Sequence, residues 1–128
     1  MAEIISMSLS NETLQELDSM QKSLGFSGRS ETIRAGIKSL LAEHKGISAL
    51  KGNIDAVMLV IHEDRHTQGV AEIRHEHSSI IKTQIHNHLE NDKCLEIFVV
   101  SGNAEKIKAL ANDFLKSKKI EYSRVIVP

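Results

Sequence analysis

Two β-patterned runs joined by a short polar turn constrain this chain more than any other feature. Residues 80–88 and 94–100 read as strands, and the turn of residues 90–93 is short enough only to fold the second back beside the first. His86 and His88 stand two apart on the first run, so period two puts both imidazoles on one face. The turn then brings Cys94, the only cysteine, close to them. Two imidazoles and a thiolate suit late divalent transition metals. Any one of these histidines alone reads most simply as structural or exposed, but a core or a solvated surface does not require all three donors to converge. His75, upstream in a helical pattern, can supply a fourth donor. The spacing H-x10-H-x-H-x5-C is not that of a zinc finger.

Around this hairpin the periodicities outline one α+β domain. Residues 54–61 form a nearly continuous Val- and Ile-rich run, a buried strand. A helix is predicted over 63–79, with Val70, Ile73 and His77 near one face. A second, opened by Gly102 and Asn103, runs to about Lys118 with Ile107, Leu110, Ala111 and Phe114 inward. Residues 120–127 close as a strand. The order βαββαβ is the ferredoxin-like arrangement. In this reading His62 and His66 belong to a solvated helix entrance, with a weak auxiliary cation site as the alternative. His77 is a possible substitute for His75, and His44 a charge at a helix C-terminus.

The chain's beginning follows other rules. Residues 4–10 alternate, with Ile5, Met7 and Leu9 on one face and Ile4, Ser6, Ser8 and Ser10 on the other. Ser10 or Asn11 can cap a helix to about Leu24 with Gly25 as its C-cap, and Ser30 a second helix from Glu31 to about Glu43. One strand and two helices cannot close a core, and antiparallel pairing of the strand with its own copy would supply the missing edge. Gly46, Gly52 and Asn53 mark a linker. The expected organisation is therefore 1–45, a linker over 46–53, and 54–128.

Composition narrows the class. The 128 residues carry a formal net charge of -1, which argues against a generally basic nucleic-acid coat, and only 3% are aromatic. A modest core makes oligomerisation a natural source of buried area. A lone cysteine excludes an intrachain disulfide and fits a reducing compartment, and neither a secretory leader nor an apolar run of bilayer length appears. A soluble cytoplasmic protein is expected.

The strand, helix and turn Gly28-Arg29-Ser30-Glu31-Thr32-Ile33-Arg34 resemble the ribbon-helix-helix DNA-binding fold. Followed by a ferredoxin-like, ACT-type domain carrying H-x10-H-x-H-x5-C-L-E, the whole chain resembles the nickel-responsive repressor family, NikR. The resemblance implies Ni(2+) held by His86, His88 and Cys94 of one subunit and His75 of a neighbouring one. It implies a homotetramer, a dimer of dimers, that binds double-stranded operator DNA and represses metal uptake genes. Ser6 and Ser8, with Ile4, would face the bases; Arg29 and the Ser30 amide would hold phosphate, with Lys22 and Arg34 nearby. Glu96 would accept a hydrogen bond from a ligand imidazole, the other reading being an exposed strand carboxylate. Two positions depart from the family. Ile4 stands where an arginine is often found, and Arg74 stands where glutamine is common. Alternatives are a regulator of this fold sensing Cu, Co or Zn, an antitoxin, and a small-ligand ACT module. An enzyme is not expected, because four protein donors leave no open coordination position.

Overall fold

The computed structural model describes residues 2–128, whose contacts separate into a unit ending at Lys45 and a unit beginning at Gly46. In the first unit, helix α1 (Asn11–Leu24) starts where Ser10 Oγ accepts the Thr13 amide at 3.1 Å. It ends at Gly25, whose φ of 75° lets its N–H turn back to the carbonyls of Gln21 and Lys22. Residues 2–10 form no ladder in the single chain. The alternation is there, but a strand exists only with a partner to bond, and the expected partner was a second copy.

Helix α2 (Arg29–Ser48) differs from expectation at both ends. Its first bond runs from the Thr32 amide to the Gly28 carbonyl at 3.2 Å, so Ser30 lies inside the helix and caps nothing. Glu31 satisfies the entry instead, accepting from the Ser27 amide at 2.6 Å and the Ser27 hydroxyl at 2.5 Å. The helix also runs past Glu43, its expected end, and through Gly46, expected in the linker. One interior glycine costs only about 1 kcal/mol against alanine, and helical neighbours on both sides absorb that. The predicted linker of residues 46–53 is thus helical as far as Ser48.

The second unit contains β1 (Asn53–Glu63), a 3-10 turn (Asp64–His66), α3 (Thr67–Glu76), β2 (Ile81–His88), β3 (Lys93–Asn103), α4 (Ala104–Lys116) and β4 (Ile120–Ile126). All three strand pairings are antiparallel, in the order β2-β3-β1-β4. This is the α+β, ferredoxin-like arrangement read from the sequence. Its inner face carries Ala56, Met58, Val60, Phe98 and Val100, on which Val70 of α3 and Ile107, Leu110 and Phe114 of α4 close. Phe98 and Phe114 stack with centroids 5.5 Å apart.

The outer face is also apolar. It presents Leu59, Ile85, Leu95, Ile97 and Val99, of which Ile85 is 46% and Val99 39% exposed. One correction bears on the site. Helix α3 starts at Thr67 rather than near Glu63, because β1 runs on through His62 and Glu63. His62 is therefore a strand residue and fully buried, not part of a solvated helix entrance. No helix among the described residues is long and apolar enough to cross a membrane.

Candidate metal centre

Register assembles the site. His88 of β2 is paired across the sheet with Cys94 of β3, which is paired in turn with His62 of β1. One step along, His86 faces Glu96. Paired residues of an antiparallel ladder share a face, so all five side chains project from the inner face at one end of the core. The turn makes this register possible. Asn91 and Asp92 adopt left-handed φ values of 62° and 58°, which these side chains tolerate better than most, and the Leu89 amide closes on the Lys93 carbonyl at 2.7 Å.

Cys94 is the hub. Its Sγ lies 3.6 Å from His88 Nδ1 and donates to Asp64 Oδ1 at 3.5 Å. Among the described residues, two converging donor groups include this thiol: His62, His86 and Cys94, and Asp64, His88 and Cys94. The rings of His86 and His88 have centroids 5.2 Å apart. His88 is the exposed partner, with 76% of its side chain open to solvent. His86 Nε2 is buried and has no hydrogen-bond partner among the described residues. An orphaned buried acceptor beside a thiol is unfavourable by about 1–3 kcal/mol until something fills it. That atom, with a sulfur and further imidazoles around it, fits a late divalent ion. Burial pushes the Cys94 thiol up from its ordinary pKa, and the Asp64 carboxylate hydrogen-bonded to it pushes the same way.

A polar chain backs the site. Glu96 is only 3% exposed, so the exposed-carboxylate reading is wrong. Its Oε2 accepts from His62 Nε2 at 2.6 Å, its Oε1 accepts from Gln84 Nε2 at 2.7 Å, and His86 Nδ1 stands 3.8 Å from Oε1. His62 Nδ1 meets the Glu63 carbonyl at 2.7 Å. Arg74 donates to Gln84 Oε1, so its charge is tied to the outer end of this chain. Sequence reasoning gave His62 a solvated helix entrance or an auxiliary cation site with His66, and missed its buried place against Glu96. Its signal was parity: it follows Ala56, Met58 and Val60 at period two.

His75 lies exposed on α3 and joins no donor group of its own chain among the described residues. His77 is engaged elsewhere, its Nε2 bound to Asp113 Oδ2 of α4 at 2.6 Å. In the first unit, Arg29 forms a two-pronged ion pair with Asp18 at 2.9 and 3.0 Å, and Ser30 sits in the first turn of α2. Ile4, Ser6 and Ser8 are exposed.

Fold and site together define a ferredoxin-like metal-binding domain carrying a histidine and cysteine donor set. Residues 56–127 match the NikR C-terminal nickel-binding domain. The chain is 32% identical over 126 residues to "Putative nickel-responsive regulator 2" of Methanosarcina mazei, covering 94% of this chain and 89% of the relative. It is 35% identical over 127 residues to a "Putative nickel-responsive regulator" of Methanococcus vannielii, covering 96% of this chain and 89% of the relative. An uncharacterized protein of Thermotoga maritima shares the fold, with a TM-score of 0.54 at 15% identity over 59% of this chain and 98% of its own. The chain belongs to the NikR family of nickel-responsive regulators, and Ni(II) is the ion its C-terminal domain binds.

Proposed function

We propose that this protein is a nickel-dependent DNA-binding repressor of metal uptake genes. Residues 1–45 act as a ribbon-helix-helix domain, 46–53 as a connection, and 54–128 as an ACT-type domain for metal binding and tetramerisation. The observation that carries the metal half is the buried Nε2 of His86, unpartnered among the described residues, on a ring with a donor within 4.8 Å of the Cys94 sulfur. His86, His88 and Cys94 supply three donors from one subunit, and His75, exposed on α3 and unused by its own chain, supplies the fourth to a neighbour. Ni(II), when bound, imposes one coordination geometry on donors from two chains. Glu96 stands on the outer nitrogen side of His86, Gln84 holds Glu96, and Arg74 holds Gln84. Occupancy then selects one arrangement of a homotetramer, which is how metal concentration reaches DNA affinity.

Support for the DNA half comes from the apolar alternation of residues 5, 7 and 9. Ile5 is 75% and Met7 55% exposed, a surface that pairing with a second copy would cover. The ribbon would then place Ile4, Ser6 and Ser8 toward bases, and Arg29 with the Ser30 amide toward phosphate. Arg29 must leave Asp18 or share it. The test has two arms. Ni(II) titration followed by ultraviolet-visible absorption should give thiolate-to-nickel bands saturating at one ion per chain, absent in Cys94→Ser. Selection from random duplex DNA should enrich a palindrome only with Ni(II). Equal recovery with and without metal, or no recovery, refutes the regulatory reading.

A further inference from the structure

Among the described residues, one converging donor group lies outside the nickel centre. His77 stands at the C-cap of α3 and reaches Asp113 of α4, and the exposed carboxylate of Glu76 comes in beside them. The three ligating atoms all lie within 4.8 Å of one another. We propose that Glu76, His77 and Asp113 form a second cation site, one imidazole with two carboxylates, that takes a divalent ion of the Mn(II) or Zn(II) class. It shares no residue with the nickel centre.

Four observations carry it. First, two of the donors stand on backbone that the core fixes. The His77 amide closes the end of α3 on the carbonyls of Arg74 and His75, and its own carbonyl accepts the Ile80 amide at 3.2 Å. Ile80 is buried, and Asp113 stands on α4 directly before the buried Phe114. Second, His77 Nε2 and Asp113 Oδ2 are 2.6 Å apart. Two ligands at right angles on one ion, each about 2.1 Å from it, stand about 3 Å apart. An ion can therefore replace the shared hydrogen with little movement of either side chain, and the proton leaves to solvent. Third, the Glu76 carboxylate has no hydrogen bond or ion pair among the described residues, although a second carboxylate stands close to it. Two carboxylates at that distance repel, and a divalent ion between them turns repulsion into attraction. Fourth, the cluster stands at the C-terminus of α3, the end of a helix where backbone carbonyls favour positive charge.

Donor chemistry separates the two centres. A lone imidazole with carboxylates and water suits ions that oxygen ligands satisfy, whereas the nickel centre offers sulfur and several imidazoles. With side chains 15% and 34% exposed, His77 and Asp113 leave room for water to complete the ion's coordination. Occupied, the site would fasten the end of α3 to α4, two residues beyond His75.

Mn(II) reports occupancy, because its electron paramagnetic resonance signal in water fades when it binds a protein. Full-length protein already given one Ni(II) per chain should still remove one Mn(II) per chain from that signal, and Zn(II) should return it. Cys94→Ser should bind Mn(II) as the wild type does, so the outcome does not depend on the nickel reading. Glu76→Gln and Asp113→Asn, which keep the shape of each side chain, should each weaken Mn(II) binding by more than about tenfold. Unchanged circular dichroism shows that each variant is folded. Glu76 is exposed, so its variant serves even if Asp113→Asn does not fold. No loss of signal in the wild type means that His77 and Asp113 share a hydrogen bond only, and overturns the proposal. So does Mn(II) binding that is unchanged in either folded variant, or that is lost in Cys94→Ser, which would move the ion to the nickel centre.

Discussion

At the scale of single residues, Cys94 decides how the site responds to pH. Its thiol pKa is raised by burial, and a metal binds the thiolate, so binding must expel a proton that the protein holds more tightly than free cysteine would. Where the histidines are already neutral, apparent Ni(II) affinity should therefore rise about tenfold per pH unit until the thiol itself ionises. Chelator competition across that range checks the slope; a flat profile would mean the sulfur is not a ligand. Much of this site was legible beforehand. His86 and His88 needed only period two, and Cys94 needed only a turn too short to cross over. His62 was hidden because the apolar run ends at Ile61, and a histidine beside Glu63, Asp64 and Arg65 looks like surface. Only the observed length of β1 shows that its parity with Val60 outranks its neighbours. Glu96 was ambiguous for the same reason: a carboxylate on a strand declares its burial only through its partners.

At the scale of elements, the entry of α2 rests on one carboxylate. Hydrogen bonds from the Ser27 hydroxyl and amide hold the Glu31 carboxyl below its ordinary value of 4.5. A depressed carboxyl contributes stability that is fully present above the ordinary value and lost as pH falls through the folded one. Glu31→Gln should accordingly lower helical melting temperature near neutrality, and the gap from wild type should close in acid. Circular dichroism melts at both ends of that range test the sign. In the second unit, α4 is held on the sheet by Phe114, buried against Phe98. Phe114→Ala should cost about 3–5 kcal/mol in urea unfolding followed by circular dichroism. Element order and type were readable from periodicity throughout residues 54–128. Boundaries were not, because Gly46 is a breaker by composition and a helix interior by context. Residues 2–10 show the opposite case, a pattern without its element, since what would complete it is not in the same chain.

At the scale of the whole molecule, the apolar outer face of the sheet is the feature that argues for assembly. Val99 is already 39% exposed, so Val99→Lys should fold normally yet fail to associate if a second copy covers this face. Light scattering after size-exclusion chromatography would show the smaller species; an unchanged mass would move the interface elsewhere. One feature of the sheet reaches further. β2 is bonded along one side only, to β3, whereas β1 is bonded along both. The two histidines of the hairpin therefore hang on a border strand, the part of any sheet that opens most readily on its own. Without metal, amides of residues 81–88 should exchange with deuterium well before those of β1. Added Ni(II) should slow the border strand selectively and leave the centre of the sheet untouched. The ion would then be sensed as the difference between a frayed hem and a stitched one.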